Sequence, residues 1–167
     1  MADHERGWIR GAQRGSVADL ERLFREHWPR AFRAARLVTG DAAAAEDIAQ
    51  EAFLAAVRNL DRFDRRRPFG PWLHRIVVNR AIDWTRARRL RAEVELGDAF
   101  AAPPAPVADG AALRGIAELS PEHRAVIVLR YVLEYTPGEI AELLDLPRGT
   151  VNSRLRRGLD RLKELQA

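Results

Sequence analysis

The amino-acid sequence predicts an all-α protein made of two small helical domains that are joined by a flexible Ala/Pro linker. Apolar residues recur at helical spacing on both sides of residues 96–112, and no convincing strand pattern appears in the chain. The segment itself is rich in alanine and proline, which pack poorly and remove helix donors. We therefore expect domains at 1–95 and 113–167 with a linker at 96–112. An ordered loop inside one domain is the alternative, although loops of this length are uncommon in compact domains.

Helix start and stop signals divide the first domain into three helices. Ser16 with Asp19 resembles a capping arrangement at the start of the first helix. Gly40 is a predicted stop, and Asp41 is a predicted N-cap for the second helix. Pro71 suits the first turn of the third.

The second domain shows the same kind of signals. Ser120-Pro121 marks a helix start, and Thr136-Pro137-Gly138-Glu139 has the form of a capping box with proline at the first helical position. Leu146-Pro147-Arg148-Gly149 then interrupts the pattern. A final helix follows, whose apolar positions are Val151, Leu155, Leu159 and Leu162.

Composition argues against several classes of protein. The chain has no cysteine, its four histidines lack metal-ligand spacing, and it contains no GxxxxGK phosphate loop. No nucleophile and base pair can be named. We therefore expect no enzyme, no catalytic residue, no metal and no cofactor. No stretch resembles a signal peptide or a membrane span, so we expect a cytoplasmic protein.

Positive charge is concentrated at three places. Residues 148–167 carry six basic and two acidic groups, whereas residues 113–147 carry three basic and six acidic groups. Such a division suits one end of a domain that faces an anion, although a solvated final helix is the alternative.

In the first domain, one basic cluster lies at residues 62–67 and another at residues 86–91, with Trp72 and Trp84 between them. Arginines interleaved with aromatic rings suit single-stranded nucleic acid, although both tryptophans are also candidates for the core.

Residues 41–51 hold four acidic residues and no basic residue. A helix of this charge repels DNA and suits a basic protein surface. Alternatively, Asp41 and Glu46 simply favour a helix N-terminus.

Residues 136–161 read TPGEIAELLDLPRGTVNSRLRRGLDR, which predicts a helix-turn-helix with a basic second helix. Such a helix fits the major groove, where base edges are distinguishable. The segment resembles the promoter-reading C-terminal domain of extracytoplasmic-function sigma factors. The DxxQExF pattern within DAAAAEDIAQEAFLAAVRNLDRF resembles the family's polymerase-binding helix. RPFGPWLHRIVVNRAIDWTRARRL resembles the segment that melts and reads the −10 promoter element.

The resemblance implies a role for each segment. Contacts with the clamp helices of the largest polymerase subunit are implied for Asp47, Gln50, Glu51 and Phe53. A second set of residues is implied to handle the melted −10 element, where the loop that ends at Phe69 holds a flipped base. This set consists of Arg65, Arg66, Arg67, Phe69, Trp72, Asn79, Arg80, Asp83, Trp84, Arg86, Arg88 and Arg89. Reading of the duplex −35 element is implied for Arg148, Thr150, Ser153, Arg154 and Arg157. The implied partners are core RNA polymerase, promoter DNA and an anti-sigma factor.

Some residues depart from the family's usual pattern. His74 stands where a tyrosine is frequent, Trp84 where an aliphatic residue is frequent, and Asn152 where a lysine is frequent. These differences bear on the promoter sequence rather than on the class of protein. The competing hypothesis is a helix-turn-helix regulator that acts without core polymerase. It explains the second domain but neither the acidic helix nor the segment that combines arginines with tryptophans.

Overall fold

The computed structural model describes residues 2–96 and 111–166, and within these ranges the chain is helical with no β-strand. The first domain contains α1 (Ala2–Gln13), α2 (Val17–Thr39), α3 (Ala42–Arg58) and α4 (Phe69–Leu96), with a 3-10 turn at Leu60–Arg62. The second contains α5 (Ala111–Ala117), α6 (Pro121–Tyr131), α7 (Pro137–Leu144) and α8 (Arg148–Gln166). Most of the predicted linker, residues 97–110, lies outside the described residues.

The predicted helix boundaries are confirmed by local hydrogen bonds. Ser16 and Asp41 accept the backbone N–H groups of Asp19 and Ala44, respectively, as N-caps. Gly40 adopts a left-handed conformation, with a φ of 72°, and ends α2. In the second domain, Thr136 and Glu139 form the predicted capping box. These side chains satisfy helix-end groups that have no partner within the helix.

The core of the first domain lies between α2, α3 and α4. Alanines 31, 34 and 35 of α2 and alanines 45, 49 and 52 of α3 are fully buried, so these helices approach closely. Aromatic rings fill another part of the contact between α2 and α3, where Phe53 of α3 packs against Phe24 and Trp28 of α2.

Helix α1 is an element that the sequence interpretation missed. Its residues are mostly polar, and the apolar positions that pack on the core are only Trp8, Ile9 and Ala12. Ile9 is nevertheless fully buried, and α1 lies along α2 and the 3-10 turn.

In the second domain, α8 packs against both α6 and α7. Val151, Leu155 and Gly158 form its buried side, with Leu159 and Leu162 half-buried beside them. Gly158 lies against Ile127 of α6, where an added Cβ would be 3.1 Å from the Ile127 side chain. The expected apolar face of the last helix is therefore confirmed, and Gly158 lets this face lie close to α6.

The two domains contact each other through α2 and α4 on one side and α5, α6 and α7 on the other. Arg124, only 2% exposed, donates to the carbonyl of Val38 in the first domain and to those of Ala117 and Leu119 in the second. Burial lowers the pKa of Arg124 to about 10. The charge is thus held by backbone carbonyls near the C-terminal ends of α2 and α5, where the helix dipole favours a cation.

A second polar contact joins the domains near the start of α7. His74 of α4 is 3% exposed, and its Nδ1 lies 2.7 Å from the hydroxyl of Tyr135. No partner for Nε2 occurs within the described residues. Burial, with smaller contributions from His27 and Arg30, lowers the pKa of His74 to about 3, so the imidazole is neutral at pH 7.

Candidate nucleic-acid interface

The outer edge of α3 combines carboxylates with apolar side chains. Asp47, Gln50 and Glu51 are exposed on neighbouring turns, as their spacing predicts. Leu54 and Val57, which the sequence interpretation did not select, continue this edge and are 54% and 40% exposed. Phe53 was expected to face a partner, but it is only 5% exposed because its ring packs against Phe24 and Trp28. The Phe53 ring therefore supports this edge from the core side and is not part of its surface.

Between the 3-10 turn and α4, residues 64–68 form what we call the arginine loop. Arg65, Arg66 and Arg67 are exposed at its tip. Asp64 accepts the backbone and side-chain N–H groups of Arg66, and the side-chain bond lowers the pKa of Asp64. The N–H of Arg67 donates to the carbonyl of Asp64, which closes a tight turn. No ion pair of Arg65 or Arg67 is found within the described part of the chain.

Phe69 lies below the arginine loop and not at its tip. It is 2% exposed and packs against His27, Phe63 and Trp72. Its ring therefore does not lie on the surface of the loop, and the expected role of the loop in holding a flipped base stays a prediction. The same packing fixes the position where the loop enters α4.

Along α4, the predicted DNA-handling residues form a polar strip with several intramolecular partners. Arg80 pairs with Glu51 of α3 at 2.8 Å, so the predicted polymerase and −10 surfaces adjoin. Arg86 pairs with Glu122 of α6, and Arg89 donates to the carbonyl of Leu119 at 3.1 Å. Asn79 is half-buried and Asp83 is exposed beside them.

The two tryptophans of α4 are both half-buried. The sequence left open whether these rings belong to the core or contact nucleic acid, and half-burial allows both. Trp72 packs on Phe63, with ring centroids 4.6 Å apart. Trp84 lies under the guanidinium of Arg88, 5.2 Å from its ring centre, while Arg88 also pairs with Asp41 at 3.0 Å. Each ring is therefore part of the packing and stays partly exposed.

On α8, the predicted reading residues surround the N-terminal half of the helix. Arg148 and Arg157 are exposed, while Thr150, Ser153 and Arg154 are half-exposed. Asn152 and Arg156 are also exposed on this half, and the sequence interpretation selected neither as a reading residue. At the start of α6, burial lowers the pKa of His123, and the positive charge of Arg154 lowers it further.

An open cleft of about 880 Å³ separates the arginine loop from α7. Its first-domain wall includes Arg67, Trp72 and Arg75, and its second-domain wall includes Glu139 and Glu142. With Arg62 and Asp64 also in the first-domain wall, that wall carries a net positive charge and the second-domain wall a negative one.

Comparisons with known proteins agree with this two-domain architecture. Residues 23–91 match the family model for Sigma-70 region 2, and residues 115–164 match that for Sigma-70, region 4. The chain is 32% identical to the ECF RNA polymerase sigma factor SigW of Bacillus subtilis (strain 168), over 93% of this chain and 91% of SigW. It is 36% identical to the ECF RNA polymerase sigma factor SigL of Mycobacterium tuberculosis (strain ATCC 25618 / H37Rv), over 88% of each protein.

Solved structures show the same arrangement of helices. CnrH, solved in complex with the cytosolic domain of CnrY, superposes with a TM-score of 0.75 at 29% identity and covers 97% of this chain and 96% of its own. The sigma factor RpoE of Bartonella quintana, solved in complex with the anti-sigma factor NepR, superposes with a TM-score of 0.73 at 23% identity, covering 90% of this chain and 98% of its own. The RpoE match shows the fold alone.

The fold and the matches over both domains define a sigma-70-type transcription initiation factor. The chain belongs to the extracytoplasmic-function family of RNA polymerase sigma factors. The predicted family and the all-α class are thereby confirmed. A regulator that acts without polymerase is not favoured, because the matches extend through the first domain. Among the described residues, no helix is both long enough and apolar enough to cross a membrane.

Proposed function

We propose that this sigma factor uses three surfaces, and that it acts by binding rather than by catalysis. The first is the edge of α3, where Asp47, Gln50 and Glu51 border exposed Leu54 and Val57. This exposed apolar strip beside carboxylates is the observation that carries the proposal. A basic surface with apolar side chains would complement it, and we assign it to the clamp helices of core polymerase.

The second surface is the arginine loop with the polar strip of α4, to which we assign the melted −10 element. Arginines bind phosphates, and aromatic rings that stay partly exposed can stack on unpaired bases. Arg86 and Arg89 contact α6 and the turn before it. Because Glu122 competes with phosphate for the charge of Arg86, we infer that the two domains separate when DNA binds.

The third surface is the N-terminal half of α8, to which we assign the −35 element in duplex form. Arg148, Ser153 and Arg154 are supplied by the helix that follows the turn, as in other helix-turn-helix domains. Asn152 and Arg156 join this surface because both are exposed there. The 14 residues between α4 and α5, 97–110, reach at most about 46–50 Å when extended, which lets the domains occupy two promoter elements.

We further infer that an anti-sigma factor binds the chain in the cytoplasm, where polymerase acts. The support is the likeness to CnrH, which was solved with the cytosolic domain of another protein. A protein that occupies both domains at once would keep them from reaching the promoter.

The polymerase assignment is tested by reversing charge on α3. The double variant Asp47→Arg, Glu51→Arg should weaken association with core polymerase at least about tenfold, because like charges brought together at an interface cost several kcal/mol. The double variant Glu93→Arg, Glu95→Arg carries the same charge change on exposed residues of α4 and serves as the control. Equal affinity of both variants for core, measured by fluorescence anisotropy of labelled protein, would show that α3 is not the contact.

A further inference from the structure

Helix α1 lies before the region that matches Sigma-70 region 2, which begins at residue 23. Its last residue, Gln13, donates from one side-chain nitrogen to the carbonyls of Leu60 at 2.8 Å and Phe63 at 3.2 Å. Both hydrogens of the amide are thereby used. These carbonyls lie at the 3-10 turn that leads into the arginine loop, so α1 holds the N-terminal end of the loop.

The first half of α1 holds the other end of the loop. Glu5 lies 2.7 Å from the ring nitrogen Nε2 of His27, and the His27 ring packs on Phe69 with 5.0 Å between ring centres. The hydrogen bond from His27 lowers the pKa of Glu5 against the opposing effect of burial, and the backbone N–H of Phe69 lowers it further. Phe69 is the first residue of α4, so the Glu5 carboxylate also meets the positive end of that helix dipole.

Only five residues, 64–68, separate these two points of attachment. Inside the loop, the bond from the Arg67 N–H to the Asp64 carbonyl and the bonds of the Asp64 carboxylate to Arg66 restrict the backbone further. The exposed arginines therefore project from a backbone that is fixed at both ends and in the middle. Such preorganisation lowers the conformational cost of binding and narrows the geometry in which a base can be accepted.

We propose that α1 positions the arginine loop for base selection at the −10 element, with Gln13 and Glu5 as the positioning residues. Neither residue touches DNA; each acts through the backbone of the segment that does. The inference rests on the proposed role of the loop. It adds that the specificity of that loop depends on a helix outside the region of the family match.

The test uses the full chain assembled with core polymerase. Gln13→Glu has nearly the shape of glutamine but replaces the donor nitrogen with an oxygen that repels both carbonyls. Arg10→Gln makes the same change in net charge on an exposed part of α1 and is the matched control. The double variant Arg65→Ala, Arg67→Ala removes the side chains that the loop presents.

Transcription is measured from promoters that carry each of the four bases at every −10 position, alongside affinity for core and the midpoint of thermal unfolding. Gln13→Glu should reduce the preference for the best base at one −10 position by about tenfold, the scale of losing a base contact. The position should be the one affected by the loop double variant. Affinity for core should stay unchanged, and Arg10→Gln should behave as the unmodified protein.

The inference is overturned if Gln13→Glu keeps the full base preference while the loop double variant loses it. It is also overturned if Gln13→Glu lowers transcription from all four bases alike, because that is the effect of a merely structural residue. If the glutamate variant does not fold, Gln13→Ala is judged by the same two criteria. Failure of the unmodified protein to direct promoter-specific transcription would instead refute the proposed function itself.

Discussion

Acidification from pH 7 to pH 5 should destabilise the fold through His74, which joins the two domains by its hydrogen bond with Tyr135. The imidazole is 3% exposed and its Nε2 finds no partner within the described residues, so the protonated ring would bury an unpaired N–H. Tyr135 cannot compensate by ionising, since burial raises the pKa of its hydroxyl to about 12. Folding therefore requires the neutral ring.

The expected size of the effect follows from the pKa of His74 in the two states. Burial lowers it from 6.5 to about 3 in the folded protein. Between these values the unfolded chain binds one proton more than the folded chain, so the free energy of unfolding rises with pH. The contribution of His74 is present above pH 6.5 and is lost progressively as the pH falls towards 3. From pH 7 to pH 5 the loss amounts to about 2 kcal/mol.

Urea denaturation at pH 7 and pH 5 measures this loss, with His74→Phe as the comparison. Phenylalanine cannot be protonated, so the variant should lose about 2 kcal/mol less than the unmodified protein over the interval. Other groups with lowered pKa values, including Glu5, Asp41 and His123, are present in both proteins and cancel in the difference. Equal losses in the two proteins would refute the argument that His74 must remain neutral at this contact.

Two further substitutions test the domain contact and the DNA-reading helix. Arg124→Met should lower the free energy of unfolding by about 2–4 kcal/mol, because backbone carbonyls lose their buried donor. The control is Arg114→Met at an exposed position, which should leave the urea midpoint nearly unchanged. Arg154→Ala should relax discrimination between −35 sequences by about 1–3 kcal/mol, whereas Arg161→Ala should only lower the salt dependence of binding or be silent. Transcription from −35 variants and the salt slope of holoenzyme binding separate these roles, and unaltered −35 selectivity in Arg154→Ala would contradict the placement of α8.

Local signals in the sequence determined much of the fold. The caps at Ser16, Asp41 and Thr136 and the stop at Gly40 were predictable because each depends on hydrogen bonds or backbone angles within a few residues. The charge contrast between α8 and the preceding helices likewise required only the order of residues. Helix α1 was not predicted, since an amphipathic pattern with three apolar contacts hardly differs from a polar segment.

What the sequence did not reveal depends on contacts between distant residues. Arg124 was counted only as a positive charge, yet its side chain donates to the carbonyl of Val38, 86 positions earlier. Phe53 and Phe69 belong to motifs that resemble binding segments, but packing from other helices buries both rings. A motif thus indicated the segment correctly without indicating which side chains reach its surface.

The most direct test of the account is transcription in vitro from genomic fragments, with core polymerase alone and with the protein added. New start sites that share a −10 and a −35 element are expected, and changing bases in either element should abolish them. Their disappearance with the α3 double variant Asp47→Arg, Glu51→Arg would link this activity to polymerase binding. If the folded protein binds core polymerase but directs initiation from no specific site, the central claim of promoter recognition is contradicted.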